Sequence, residues 1–494
     1  MAGQTQQTDR VQLPETPPTS ATVPRWATRG VWALFLLSLA LLATVGLGGH
    51  EWQIPGYVAV DGLTVVSWTV VTFVSGIVHS YSRRYMAGES HLDRFFAAIF
   101  GFTLIVMTMT AADHVVLFAA SWLGMGLTMA SLIGHVRGWQ QAQAAAALAR
   151  RYFLASSGLL GGSLTLLAWS TGTTSISGIL AQVGTLSPTV SALAVGGIVL
   201  AAVVQSALFP FQGWLLSSMT APTPASALMH AGFVNAGGIL LTRFAPLVAD
   251  DPTVMHLLVV VGAVSALLGQ ALLLVQTDVK RKLGASTVAQ MGFMILQCGL
   301  GFFAAAITHL ILHGFYKAYL FLSSGASVTQ TAPADGSRDD LGLPGIAVSL
   351  AAALGGGALF VAITGKGAKV NAGLFLALVV VLTTLHAARD VLGQSKLSSR
   401  AKLASLPLII VVPIAVYGFL FNTISGLLST VPMSSAPTEL SVVHVALGAL
   451  FVGAYVAVEL GWHRSSKRLY VALLNLSQPA PETVLTSKED YNES

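Results

Sequence analysis

The chain has 494 residues, of which 54% are hydrophobic and only 9% charged; 25 basic and 20 acidic residues leave a net charge of +5. Soluble surfaces need far more charge, so this composition excludes a string of soluble domains and specifies a polytopic membrane protein. The positive excess then reports orientation rather than a nucleic-acid partner, and the single cysteine, Cys298, rules out intrachain disulfides and thiolate metal clusters.

Residues 1–27, rich in Pro, Thr and Gln, read as a disordered cytoplasmic tail and not as a cleaved signal. Beyond it the apolar runs are about 20 residues long without strict alternation, which suits membrane-spanning helices and not barrel strands. Fourteen spans are expected, at 30–48, 58–80, 94–112, 114–134, 152–169, 189–209, 223–246, 254–276, 283–300, 302–324, 345–363, 370–391, 403–426 and 440–461. They make an all-α transmembrane domain over 28–462, followed by a cytoplasmic tail at 463–494. In that tail "RLYVALLNLSQPAPETV" has the pattern of a short interfacial or partner-binding helix, or of a frayed end. The span parity puts 21 of the 25 basic residues on one side, which predicts both termini in the cytoplasm of a bacterial inner membrane. The other four are Arg243, Lys317, Lys366 and Lys369.

Ionisable groups at membrane depth cost at least ~2.5 kcal/mol on insertion scales, so the few present are the functional candidates. In "APTPASALMH" His230 lies two turns into a span that Thr223 would cap, with Pro224 at the first helical position. Just upstream, Pro210 interrupts "QSALFPFQGWLLSSM" and should break the helix, as transporters do where they need polar backbone at the midplane. In "HLILHGFYKAYLF" His309, His313 and Lys317 recur every four residues and share one helix face. No HExxH glutamate or cysteine accompanies them, which argues against a metal; a proton wire and simple interhelical hydrogen bonding both fit. Glycines surround Lys366 and Lys369 in "GGGALFVAITGKGAKVNAG", permitting either a deep lysine or two that snorkel to the surface. The glycines of "GLLGGS" are expected to bring helices close together. Asp61, Asp113 and Glu459 sit near span ends and no acid is central, so a carboxylate relay is not expected. There is no P-loop, dinucleotide fingerprint or nucleophile elbow, which disfavours ATP-driven transport and enzymatic catalysis in this chain.

"FPFQGWLLSSMTAPTPASALMHAGFVNAGGILLTRFAPL", "DVKRKLGASTVAQMGFM" and "HLILHGFYKAYLFLSSG" resemble the proton-translocating antiporter-like membrane subunits. That family comprises the L subunit of respiratory complex I, subunits of multisubunit sodium/proton antiporters, and the DabB subunits of bacterial inorganic carbon transporters. The likeness runs over about residues 57–325, and "MHAGFVNAGGILLTRFAPL" with the closing "LNLSQPAPETV" is most similar to the DabB branch. The resemblance implies two inverted five-helix repeats, each with a broken helix. It implies no cofactor in this chain, and a large soluble zinc partner, DabA, similar to β-carbonic anhydrases, on the cytoplasmic face. It implies that His230, His309, His313 and Lys317 lie on the proton route, with Lys366 a looser match and Gln205, Pro210, Asp113 and Asn235 in support. Two positions depart from the family: Leu123 stands where relatives have the glutamate of "WEG", and Gln205 where they have a lysine. Neither side chain changes charge, so the expectation is gated, downhill proton conduction and not pumping; a redox or antiporter subunit and a non-conducting anchor are the alternatives.

Overall fold

The computed structural model describes residues 22–49, 51–327, 342–393, 398–462 and 466–484. Most of the expected N-terminal tail, much of the 325–344 connector and the residues after 484 therefore lie outside the described residues. All fourteen expected spans are helical. Their helices are α1 (Thr22–Gly48), α2 (Gly62–Tyr85), α3 (Leu92–Ala111), α4 (Val115–Ile133), α5 (Gln140–Thr171) and, after the short α6 (Ile176–Leu180), α7 (Pro188–Gln205). The seventh is pieced from α8 (Gly213–Ser217), α9 (Thr223–Leu228), a π-helical turn (Met229–Phe233), α10 (Ala236–Arg243) and α11 (Ala245–Val248). Then follow α12 (Pro252–Val275), α13 (Val279–Gly299), α14 (Phe303–Leu322), α15 (Gly342–Thr364), α16 (Gly373–Leu392), α17 (Ser399–Leu427) and α18 (Val442–Glu459), with α19 (Lys467–Leu476) in the tail. Among the described residues twelve spans have the length and apolarity to cross a membrane unaided. α13 and α14 are as long but dilute their apolar stretch with polar residues, which the site below uses.

Three local expectations need correction. α1 begins at Thr22, inside the segment read as tail, because Pro24 falls in its first turn, where a missing N–H costs nothing. The helix carrying His230 starts one residue earlier than its sequence signature: Pro222 is the N-cap, and the Thr223 hydroxyl lies 3.0 Å from Tyr85 Oη instead of capping. The glycines of "GLLGGS" make no close helix contact; a Cβ on Gly158, Gly161 or Gly162 would meet nothing within 4 Å. The close approach between α5 and α7 is made from the other side by Gly197, where a Cβ would fall 2.1 Å from Ser163 Oγ.

α7 ends at Gln205 and the chain runs irregularly over 206–212, with Pro210 exposed in the gap. Trp214 Nε1 donates to the freed Val204 carbonyl at 3.0 Å, and Ser206 Oγ donates to the Val234 carbonyl at 2.9 Å. The second bond ties this break to the π turn, so two interruptions of regular helix meet inside the bundle. The connection between α15 and α16, at 365–372, uses Gly365 and Gly367 at φ 70° and 88°; the second broken helix that the resemblance implies is not found there, since α15 and α16 are each long enough to span.

Close packing concentrates in the middle of the chain. α12 and α13 approach so tightly that a Cβ on Gly269 would sit 2.3 Å from Ala289 N, and one on Gly292 2.4 Å from Ala266 N. One large apolar core unites α2 to α14; a smaller one joins α12–α14 to α15–α18. α1, α17 and α18 leave most of their residues exposed, as helices facing lipid do.

Candidate functional site

Three helices build the centre of the site. The π turn puts His230 at 0% exposure, and inserted π turns of this kind are frequent at functional positions. α14 supplies His309, His313 and Lys317 on one face, as the spacing predicts, with the two imidazoles stacked 5.9 Å apart. α13 supplies the link between them. His230 Nδ1 lies 2.9 Å from Thr287 Oγ1; the Thr287 hydroxyl donates to the Leu283 carbonyl at 2.9 Å; Lys317 Nζ donates to that same carbonyl at 2.8 Å. Because the Thr287 proton is committed to Leu283, His230 must donate through Nδ1, which leaves Nε2 as the acceptor of the neutral ring. His230 also stacks on Phe321 at 4.3 Å, one turn beyond Lys317. His313 interacts electrostatically with Lys317, His309 and His230 together.

These groups are buried and under-bonded. Among the described residues, Nε2 of His230, His309 and His313 makes no hydrogen bond, nor do Asn235 Oδ1 and both polar atoms of Gln205. Buried polar atoms are nearly always paired in folded proteins, and an unpaired one costs about 1–3 kcal/mol. These atoms gather where α7, the π turn and α14 come together.

Lys366 stands apart from this cluster, in the connection between α15 and α16. It is buried, and its Nζ lies 3.1 Å from the centre of the Phe421 ring, 5.5 Å from that of Phe302 and 5.8 Å from that of Tyr417. The ammonium is thus held on aromatic faces by cation–π attraction. Of the two lysines expected to snorkel or to go deep, Lys366 turns inward and Lys369 is exposed. Gln297 on α13 and Tyr417 on α17 lie near each other between the two regions, and among the described residues Gln297 Oε1 makes no hydrogen bond.

Asp113 belongs elsewhere. Its carboxylate accepts from Ser175 Oγ at 2.7 Å, from Ser177 N at 2.8 Å and from Ser177 Oγ at 3.0 Å, pinning the α5–α6 connection at the bundle end. Arg243, which stood out in the sequence only as a basic residue on the wrong side, forms a salt bridge with Asp61 and donates to the Thr110 carbonyl at 3.0 Å. Burial alone would raise the Asp61 carboxyl, but the Arg243 guanidinium and the Thr64 amide and hydroxyl hold it below its ordinary range. Thr287, Gln297, Tyr417 and Phe421 escaped sequence reasoning because an uncharged polar or aromatic residue in an apolar run carries no distinguishing pattern.

Among the described residues no group of three or more His, Cys, Asp or Glu side chains is placed to hold a metal. The site thus offers buried imidazoles, two buried amines and aromatic faces, groups that can exchange protons or attract a cation.

Known proteins match this architecture. The family model for the complex I chain 5 N-terminus matches residues 50–96, and the NADH:quinone oxidoreductase/Mrp antiporter transmembrane model matches 112–343. The chain is 40% identical over 311 residues to a probable inorganic carbon transporter subunit DabB of Bacillus subtilis, covering 60% of this chain and 59% of that one. To the probable subunit DabB1 of Halothiobacillus neapolitanus it is 38% identical, covering 57% and 51%. To NADH-quinone oxidoreductase subunit L of Mycobacterium tuberculosis it is 38% identical, covering 54% and 43%. The chain therefore spans about half the length of the curated relatives it matches. By fold it resembles the Mrp complex of Dietzia, with a TM-score of 0.57 at 23% identity over 96% of this chain and 53% of that one. It also resembles an archaeal membrane-bound sulfane sulfur reductase, with a TM-score of 0.59 at 17% identity over 94% of each.

Proposed function

On the premise that this chain belongs to the NADH:quinone oxidoreductase/Mrp antiporter family of membrane subunits, we propose that it conducts protons within a two-component inorganic carbon accumulation complex. The observation that carries the reading is the gathering of His230, Thr287 and Lys317 around the Leu283 carbonyl in one buried cluster; Thr287 and Lys317 both donate to that carbonyl, so the proton passes between imidazole and amine by water or by a swing of the lysine. The cluster joins an imidazole at a helix break to an amine on α14, and His313 and His309 extend it along that helix. Lys366, in the connection between α15 and α16, forms a separate station on the Phe421, Phe302 and Tyr417 rings.

The chemistry of the partner follows from the proton. Hydration of CO2 gives bicarbonate and releases one proton, so a membrane subunit that carries protons in one direction biases a reversible reaction. The catalyst is a large soluble zinc protein of the DabA kind docked on the cytoplasmic face; the zinc is the partner's, and this chain contributes no catalytic step. The lopsided basic residues favour a bacterial inner membrane with both termini cytoplasmic. Leu123 and Gln205, which cannot switch charge, favour downhill conduction over pumping. Likeness across 94% of both chains to a subunit of a respiratory membrane complex favours a second reading, a subunit of a larger cation-translocating assembly.

Co-expression with the partner in a carbonic-anhydrase-deficient bacterium tests the proposal. Growth in air is expected, together with its abolition by an uncoupler, by Lys317→Met or by Thr287→Val, while growth in high CO2 is unaffected. Unchanged growth in air for both variants at normal membrane abundance would leave only an anchoring role. Co-purification of several small membrane subunits instead of one zinc protein would establish the second reading.

A further inference from the structure

A second histidine pair lies at the end of the bundle opposite the basic loops, where α12 and α18 begin. His256 Nε2 is 3.0 Å from Ser441 Oγ, and Ser441 Oγ is 2.8 Å from His444 Nδ1. The Ser441 amide donates to His444 Nδ1 at 3.1 Å, and His444 Nε2 lies 3.5 Å from Thr438 Oγ1. Ser441 and His444 form a capping box on α18, which needs only those two residues. His256 adds nothing to a cap, yet it aligns its ring nitrogen with the serine hydroxyl and its ring 5.6 Å from that of His444. The trio runs from a half-exposed imidazole to one that is 1% exposed.

What lies beneath it is the Lys366 region. The loop bearing Thr438 is bonded to the connection that carries Lys366 and to the turn before Phe302: Ala372 N donates to the Thr438 carbonyl at 3.0 Å, and Thr438 N donates to the Leu300 carbonyl at 3.2 Å. Leu447, one turn below His444, packs in one apolar cluster with Phe302 and Phe421, two of the rings around Lys366. We propose that His256, Ser441 and His444 form a proton port through which the Lys366 region exchanges protons with the aqueous face opposite the basic loops. The inference rests on the proton-conducting reading above and extends it to one mouth of the route.

The steps balance. A proton from water joins His256 Nδ1 while the Nε2 proton leaves to Ser441 Oγ, whose own proton passes to His444 Nδ1. The His444 Nε2 proton then leaves toward Thr438. Protonation turns His444 Nδ1 from acceptor to donor, so the Ser441 amide bond breaks during the passage; it re-forms once rotation of the two rings restores their starting tautomers, which readies the relay for the next proton.

Proton flux into proteoliposomes holding the full chain and its partner tests this, driven by a pH jump on the face opposite the basic loops. His444→Gln keeps the cap, because a glutamine at that position still accepts from the Ser441 amide, but it cannot relay. His256→Ala opens a space that free imidazole in the outer buffer can enter. Flux is expected to fall about a hundredfold in both variants, the low end of the usual general acid–base contribution, with the thermal midpoint unchanged in His444→Gln. Imidazole restores flux to His256→Ala but not to Lys317→Met. Unchanged flux in both variants, or a loss in His256→Ala that imidazole does not reverse, overturns the port while wild-type flux still depends on Lys317. A wild-type chain without flux overturns the conducting reading itself.

Discussion

Removing Arg243 is the perturbation whose cost the structure specifies best. Asp61 caps α2 through the Thr64 amide at 2.9 Å, and its carboxylate is otherwise bound by Arg243, which donates to Thr64 Oγ1 and to the Thr110 carbonyl of α3 as well. The two side chains are only 13% and 15% exposed. Stripping one partner from a fully buried pair costs ~3–5 kcal/mol, whereas an exposed pair contributes ~0–1 kcal/mol. With slight exposure, and with the Thr64 bonds kept by Asp61, Arg243→Met should destabilise by about 2–3 kcal/mol. Asp61→Asn should cost about 2 kcal/mol, because the guanidinium keeps the Thr110 carbonyl. The double variant should fall short of the sum by about 1–2 kcal/mol, the coupling of two groups in contact. Unfolding of the purified protein in mixed SDS micelles, followed by tryptophan fluorescence, measures all three. The pH dependence has a definite sign. The Asp61 carboxyl is lowered in the folded chain, so its contribution is present above the ordinary carboxylate value near ~4 and is lost as pH falls through the lower folded value. The wild type should therefore lose its advantage over Arg243→Met on acidification. Single variants within about 0.5 kcal/mol of wild type, or strict additivity, would refute the account of a buried, coupled pair.

Two further outcomes follow from packing. Gly301 has φ 79°, and a Cβ there would fall 1.8 Å from the Ala436 carbonyl oxygen, which also accepts no relief because Ala436 N is bonded to Gly301 O at 2.9 Å. Gly301→Ala should cost more than about 2 kcal/mol, from the left-handed backbone and the clash together, and a thermal midpoint equal to wild type would contradict it. The C-terminal segment is held by Leu473 in an apolar pocket with Leu216, Leu272 and Val275, by Gln276 Nε2 on Ser477 Oγ at 2.5 Å, and by Ala480 N on Ser217 Oγ at 2.9 Å. Leu473→Lys forfeits about 1.5–3 kcal/mol of burial, so α19 should detach and gain hydrogen exchange over 466–484 without a change in global stability.

The membrane class, the positions of the long helices and the rows of ionisable residues were legible in one dimension. Hydrocarbon tolerates so few polar groups that each His and Lys in an apolar run announces itself, and a four-residue spacing suffices to put His309, His313 and Lys317 on one face. Pro210 announced a break for the same kind of reason, since a missing N–H acts locally. What the side chains meet was decided only by tertiary structure. Thr287 is 57 residues from His230 and Asp61 is 182 from Arg243, and which of them touch depends on the rotation and close approach of packed helices. Tertiary packing also separated candidates of equal standing in the sequence: it turned Lys366 onto Phe421 and left Lys369 in the open, and it assigned Asp113 to a connection at the bundle end. Hydropathy and spacing record the cost of leaving water, which each residue bears alone, whereas a hydrogen bond or cation–π contact is a property of a pair.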